Sequence, residues 1–130
     1  MNDTMTIRQM CDAFDVTPRT LRFYEAKELL APIRVGQKRL FTRRDRARLT
    51  LILRGKHFGF SLEEIRQLLE LYKTKGERDQ LRATYTVAKK HLDEMIQKRT
   101  DLDSTIAELQ RELDQANRQL GETPPPHAAE

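Results

Sequence analysis

Val16-Thr17-Pro18-Arg19-Thr20-Leu21-Arg22-Phe23-Tyr24-Glu25 is the stretch from which the fold follows. The Thr17 hydroxyl can accept from the free N–H groups of a first helical turn, and Pro18 falls at the first helical position, where its missing N–H costs nothing. Val16 and Leu21 stand where a hydrophobic staple needs them. A capped helix therefore starts at Thr17. Upstream, Thr6 and Gln9 have the spacing of a capping box, and Ile7, Met10, Cys11 and Phe14 recur at i, i+3, i+4 and i+7. This predicts a short amphipathic helix, with Asp15 and Val16 leaving room only for a tight turn. Two helices so joined, the second presenting Arg19, Thr20 and Arg22 on one face and Leu21 on the other, outline a helix-turn-helix. Its second helix is the reading helix.

Downstream, Pro32 stops helix after Leu29 and Leu30. Two short arms, Ile33 to Val35 and Arg39 to Thr42, flank Gly36, Gln37 and Lys38 as in a hairpin, which reads as a wing. Thr42 with Asp45 starts another helix through Leu49, Ile52 and Leu53, with interruptions expected at Gly55 and Gly59. Ser61 and Glu64 make a second capping box, stapled by Phe60 against Ile65, and Leu62, Ile65, Leu68, Leu69 and Tyr72 follow along one stripe. Residues 1–76 are thus expected to form a compact winged helical unit.

From Leu81 the pattern changes. Leu81, Tyr85, Ala88, Leu92, Met95, Arg99, Leu102, Ile106, Leu109, Leu113, Ala116 and Leu120 are spaced 4,3,4,3 without a break, and every one except Arg99 is apolar. So narrow a seam, on a helix about 60 Å long at ~1.5 Å per residue, cannot be buried by a small domain behind it. It needs a partner helix, which predicts a homodimer over residues 77–120. Arg99 could fix register by meeting Asp101 or Asp103 of the other chain. Gly121 ends the helix, and the polar, proline-rich residues 121–130 are expected to be disordered.

Composition agrees with a mainly α fold of one small domain and a rod. The 130 residues are 38% hydrophobic and 34% charged, with five Gly, five Pro and no Trp. The core is thin and long helices are favoured over a sandwich. A single cysteine excludes an internal disulfide, no apolar run could span a membrane, and Met1 to Thr6 carries acid where a signal peptide would be basic. A cytoplasmic location is expected. Residues 1–76 hold 16 Lys and Arg against 9 Asp and Glu, a net of +7, while residues 77–130 hold 8 against 11, a net of −3. Lys38, Arg39, Arg43, Arg44, Arg46, Arg48, Arg54 and Lys56 crowd a run whose only acid is Asp45, a density that attracts polyanions. Double-stranded DNA is the leading partner.

Arg19 and Arg22 could then reach guanine edges or phosphates. Thr17 and the N–H groups behind it could take a phosphate, and the basic run would supply nonspecific attraction. Tyr24 could contact a phosphate through its hydroxyl or simply pack. Cys11 lies in the apolar stripe of its helix and reads as a buried thiol. His57, His91 and His127 have no partner at ligand spacing, and no nucleophile–base set, phosphate loop or carboxylate pair stands out. Neither an enzyme, a metal site nor a cofactor is expected.

On the stretch quoted first, together with Leu29-Leu30, Gly36-Gln37-Lys38-Arg39-Leu40-Phe41 and Phe58-Gly59-Phe60-Ser61-Leu62-Glu63-Glu64-Ile65, residues 6–72 resemble the DNA-binding domain of the MerR family of bacterial transcription regulators. The long helix extends the resemblance to about residue 120. It implies that Arg19, Arg22 and Tyr24 of the reading helix, Arg39 and Phe41 of the wing, and Arg54 with the Ser61 helix start face DNA. Phe41 stands where the family usually has Tyr, and Asp15 where a turn glycine is common, a place Asp tolerates in left-handed backbone. The resemblance also implies an antiparallel coiled-coil dimer that bends and untwists an over-long promoter spacer so that RNA polymerase can engage it. Metal-sensing members carry cysteines near both ends of the long helix and drug-sensing members add a ligand domain, so neither kind of sensing is expected here. The run from Gly36 through Asp45-Arg46-Ala47-Arg48-Leu49 to Lys56 is similar to regulators of leucine, isovalerate and related acyl-CoA breakdown, which implies an acyl-CoA or related metabolite as effector. The competing reading is a coiled-coil adaptor whose basic head docks on acidic proteins or RNA.

Overall fold

The structure, a computed structural model, describes residues 3–121. The chain runs β1 (Met5–Thr6), α1 (Ile7–Phe14), α2 (Pro18–Ala26), β2 (Ile33–Val35), β3 (Lys38–Phe41), α3 (Arg43–His57), α4 (Leu62–Lys75) and α5 (Glu77–Leu120). It divides into two compact units, one ending at Ala88 and the other starting at Lys89.

Helix starts follow from their caps. Thr6, Thr42 and Ser61 each accept a hydrogen bond from the backbone N–H three residues on, and the side-chain oxygens of Gln9, Asp45 and Glu64 accept one in return from the cap backbone N–H. Thr17 accepts from the Thr20 N–H ahead of Pro18. Each such cap is worth about 1 kcal/mol and fixes where its helix begins. The turn between α1 and α2 closes on Asp15, at φ 55° and ψ 50°, whose N–H bonds the Cys11 carbonyl. That left-handed position is the one expected of a residue standing in for glycine.

The sheet has the order β1-β3-β2, all antiparallel. β2 and β3 form the expected hairpin, with Lys38 in the strand rather than the turn and Thr42 serving as cap of α3. β1, two residues long, was not expected; it pairs Met5 with Phe41 and Thr6 with Leu40, tying the start of the chain to the wing. The core is a single cluster of Met10, Leu21, Tyr24, Leu29, Leu30, Phe41, Leu49, Ile52, Phe60, Ile65 and Leu68. All of these except Phe41 and Tyr24 are apolar positions with no other expected role.

Two boundaries differ from the sequence reading. α3 is not interrupted at Gly55 but runs through it to His57, because Gly55 is a contact position rather than a break. A Cβ there would lie 3.1 Å from both Ile65 Cγ1 and Phe60 Cδ2, so the missing side chain lets α4 and its entry turn approach. Gly76 caps α4 where the basic domain was expected to end, yet the first unit continues to Ala88. Ala83 and Val87 pack on the core, and the Gln80 amide donates to the Leu68 carbonyl at 3.0 Å. The opening turns of α5 therefore belong to the winged unit. The expected disorder of the C-terminal tail falls, from residue 122 onward, outside the described residues.

Candidate nucleic-acid interface

α2 is held as a rigid platform from below. Leu21 and Tyr24 are buried, and Arg66 of α4 donates to the Lys27 carbonyl at 2.7 Å, satisfying the C-terminal end of α2. Its outer face carries Arg19 and Arg22, both exposed and forming no ion pair among the described residues. Thr17 is exposed at the cap, and the half-buried Thr20 shares a 3.0 Å hydrogen bond with its hydroxyl. Phe23 is also exposed, edge-on to Tyr24, with the Lys27 ammonium 5.6 Å from its ring centroid.

Tyr24 does not share that outer face. It is 3% exposed, and its burial raises the hydroxyl's pKa above the ordinary 10.0, so of the two readings left open at this position the structure takes packing. Phe41 is corrected likewise: it is fully buried in β3 beneath the wing. Burying a Phe side chain stabilises by about 1.5–3 kcal/mol, and its strand position, paired with Met5, turns the ring inward. The residue supports the wing and presents nothing to a ligand.

The wing is fastened to α2 by one carboxylate. Glu25 accepts from Arg39 Nε on β3 at 2.5 Å and from Arg34 Nε on β2 at 3.3 Å. Arg39 is thus half-buried and committed to Glu25, so its first task is to set the wing against the reading helix. Sequence reasoning missed both Glu25 and Arg34, since residues 9 and 14 apart give no local pattern. Lys38, at the start of β3, is exposed and forms no ion pair among the described residues.

A second carboxylate straps the N-terminus to α3. Asp3 meets Arg43 at 2.6 Å and Arg46 at 3.0 Å, and these two guanidiniums, the Arg46 hydrogen bond foremost, hold its pKa below the ordinary 3.8. Asp45, 1% exposed, is fully engaged: it accepts from the Ala31 N–H at 3.0 Å and from the Thr42 N–H and hydroxyl, with Arg48 at 3.7 Å. A buried carboxylate is tolerable only with such partners. At the far end of α3, Arg54 and Lys56 are exposed, as is Ser61 at the start of α4. Of the expected basic set, Arg19, Arg22, Lys38, Arg54 and Lys56 are accessible with no ion pair among the described residues, while Arg39 and Arg43 are spoken for.

The seam residues of α5 are uncovered within one chain. Leu81 and Leu120 are each 70% exposed, and Tyr85, Leu92, Met95, Leu102, Ile106, Leu109 and Leu113 are exposed too, as are Ala88, Arg99 and Ala116. Ile96, which lies off the seam, is exposed as well. Among the described residues no helix is long and apolar enough to cross a membrane, and no group of three or more His, Cys, Asp and Glu side chains could hold a metal ion.

A capped reading helix, a wing locked to it, accessible cations on both, and a long helix after them define a winged helix-turn-helix regulator. Residues 5–72 match the sequence profile described as MerR HTH family regulatory protein, and residues 46–120 the one described as MerR, DNA binding. The HTH-type transcriptional regulator ZntR of Escherichia coli is 32% identical over 107 residues, spanning 81% of this chain and 75% of ZntR. The N-terminal part of MtaN, the multidrug transporter activator of Bacillus subtilis, superposes with a TM-score of 0.67 at 27% identity over 84% of this chain and 97% of its own. PbrR691 from Ralstonia metallidurans CH34, solved in complex with lead(II), superposes with a TM-score of 0.64 at 28% identity, over 84% and 86% of the two chains. The chain belongs to the MerR family and is a DNA-binding transcriptional regulator. The relatives it matches are regulators, not enzymes.

Proposed function

We propose that the protein acts in the cytoplasm as a homodimer, its two chains joined along α5 in an antiparallel coiled coil. Each protomer sets α2 into a major groove of a palindromic promoter site. Half-sites then lie about 34–36 Å apart, or a multiple of that. Arg19 and Arg22 read base edges or phosphates, Thr17 takes a phosphate at the start of α2, and Lys38, Arg54, Lys56 and the Ser61 helix start hold the backbone on either side. Arg43 joins them when it exchanges Asp3 for phosphate. The bound dimer bends and untwists the promoter spacer, at a cost of several kcal/mol, so that RNA polymerase can engage it. The observation that carries this reading is the pairing of two accessible arginines on a rigid, capped α2 with an apolar seam left bare by its own chain.

Gel-shift titration on the promoter fragment upstream of its own gene tests it. Binding is expected to weaken steeply with salt, and Arg19→Ala to cost about 1–3 kcal/mol. Unchanged affinity in that variant would remove α2 from the interface. Equal affinity for palindromic and random DNA would favour instead an adaptor with a basic docking head.

The narrower reading, control of branched-chain amino acid or acyl-CoA degradation genes with a related metabolite as effector, is supported by the likeness of residues 36–56 to regulators of those pathways. Footprints on the promoters of such genes are its test.

A further inference from the structure

The winged unit contains a groove whose apolar lining the DNA reading does not use, although it shares Arg43 with the proposed phosphate contacts. It lies between the N-terminal half of α3, the C-terminal half of α4 and the first turn of α5, and encloses about 640 Å³, within the ~300–1,000 Å³ typical of small-molecule sites. Leu51, Leu69 and Tyr72 form its apolar wall. Tyr72 continues the apolar stripe of α4 yet is 47% exposed, because no element among the described residues covers the ring.

The rim is cationic. Arg43, Arg44, Arg48 and Lys73 stand around the opening against one carboxylate, Glu77. Arg43 is held by Asp3 and Arg48 loosely by Asp45, which is already saturated by Ala31 and Thr42. Arg44 and Lys73 meet no carboxylate among the described residues. An apolar wall faced by unneutralised cations matches one ligand chemistry: an apolar body ending in an anionic group. A neutral apolar ligand would leave the charges unanswered, and a bare anion would leave the wall wet.

We propose that this groove binds a small amphipathic organic anion, its chain or ring against Leu51, Leu69 and Tyr72 and its anionic head between Arg44 and Lys73. The site is independent of the operator reading, since binding is measured on the DNA-free protein. The probes are octanoate, octanol and acetate, titrated into the full chain while the Tyr72 ring resonances are followed by NMR. Octanoate is expected to shift them saturably, and octanol and acetate to bind about tenfold or more weaker, the equivalent of one charge-assisted hydrogen bond. Arg44→Glu with Lys73→Glu, both at exposed positions, should abolish the octanoate shift while far-UV circular dichroism stays unchanged.

Three results would overturn the proposal. Octanol could bind as well as octanoate, or the double variant could keep the octanoate response. Alternatively, octanoate could bind a Leu102→Asp, Leu109→Asp monomer but not the unmodified chain, which would assign the groove to a second copy.

Discussion

Asp15 and Glu28 are the two non-glycine residues with positive φ among the described residues, at 55° and 62°. Left-handed backbone costs an L residue roughly 1–2 kcal/mol, less for Asp, whose short side chain bonds locally. Asp15→Gly is therefore expected to raise stability by about 0.5–1 kcal/mol in denaturant titration, the relief of strain exceeding the extra freedom glycine gives the unfolded chain. Asp15→Val should lower it by more than that. No gain from glycine would mean that the Asp side chain offsets the strain. Asp15 was legible because the family resemblance places a turn glycine there, but Glu28 was not, since nothing local marks a glutamate for this conformation. The same limit explains the two aromatic residues that the resemblance turned toward DNA. Tyr24 and Phe41 lie among arginines in sequence, yet spacing alone does not say which side of a nine-residue helix or a four-residue strand the core will cover. Phe41 was settled by β1, an element too short to leave any periodic trace.

The helix-turn-helix and the wing are separate elements, and Glu25 is what makes them one surface. Its contacts with Arg39 and Arg34 are partly exposed, so their net contribution to stability is modest, about 0.2–1 kcal/mol. Their effect on geometry is larger. Glu25→Gln keeps the shape of the side chain and removes its charge, freeing two guanidiniums and letting the wing move against α2. Nonspecific DNA binding is expected to tighten and its salt dependence to steepen by up to about two phosphate equivalents, while the ratio of operator to random-sequence affinity falls. A ratio that stayed constant would show that the wing is oriented by the β1-β3 pairing alone. The elements themselves were legible wherever a cap and a stripe coincide, as at Thr6, Thr17, Thr42 and Ser61. What escaped was long-range: Glu25 with the wing, Asp3 with α3, Arg66 with the end of α2. Gly55 was misassigned for the same reason, because a glycine that breaks a helix and one that admits a neighbouring helix look alike until the neighbour is placed.

For the whole molecule the deciding quantity is the apolar area that one chain leaves in water. α5 carries two faces, and they separate cleanly. Ala83 and Val87 turn to the core of the winged unit, whereas Leu81, Tyr85 and Ala88 begin a seam that runs uncovered to Leu120. Each leucine of that seam buried against a second α5 would contribute about 1.5–3 kcal/mol, so the row as a whole outweighs the cost of association by a wide margin. Arg99 is the one polar member, and Asp101 already accepts from Gln97 at 3.0 Å in its own chain, which leaves Asp103 as the freer acid for a partner's arginine. Leu102→Asp with Leu109→Asp places two carboxylates at the seam, four when two chains meet. Light scattering should then report the 15.3 kDa of a single chain where the unmodified protein gives twice that. The winged unit has its own core and should remain folded, with circular dichroism losing only signal from α5. Gel-shift titration on the same variant carries the argument to DNA: one reading head engages half the phosphates, so the slope of log affinity against log salt should fall by about half, and the preference for a palindrome over a single half-site should vanish. A full-strength slope in a proven monomer would mean that one winged unit makes all the contacts and that the seam serves something other than operator spacing.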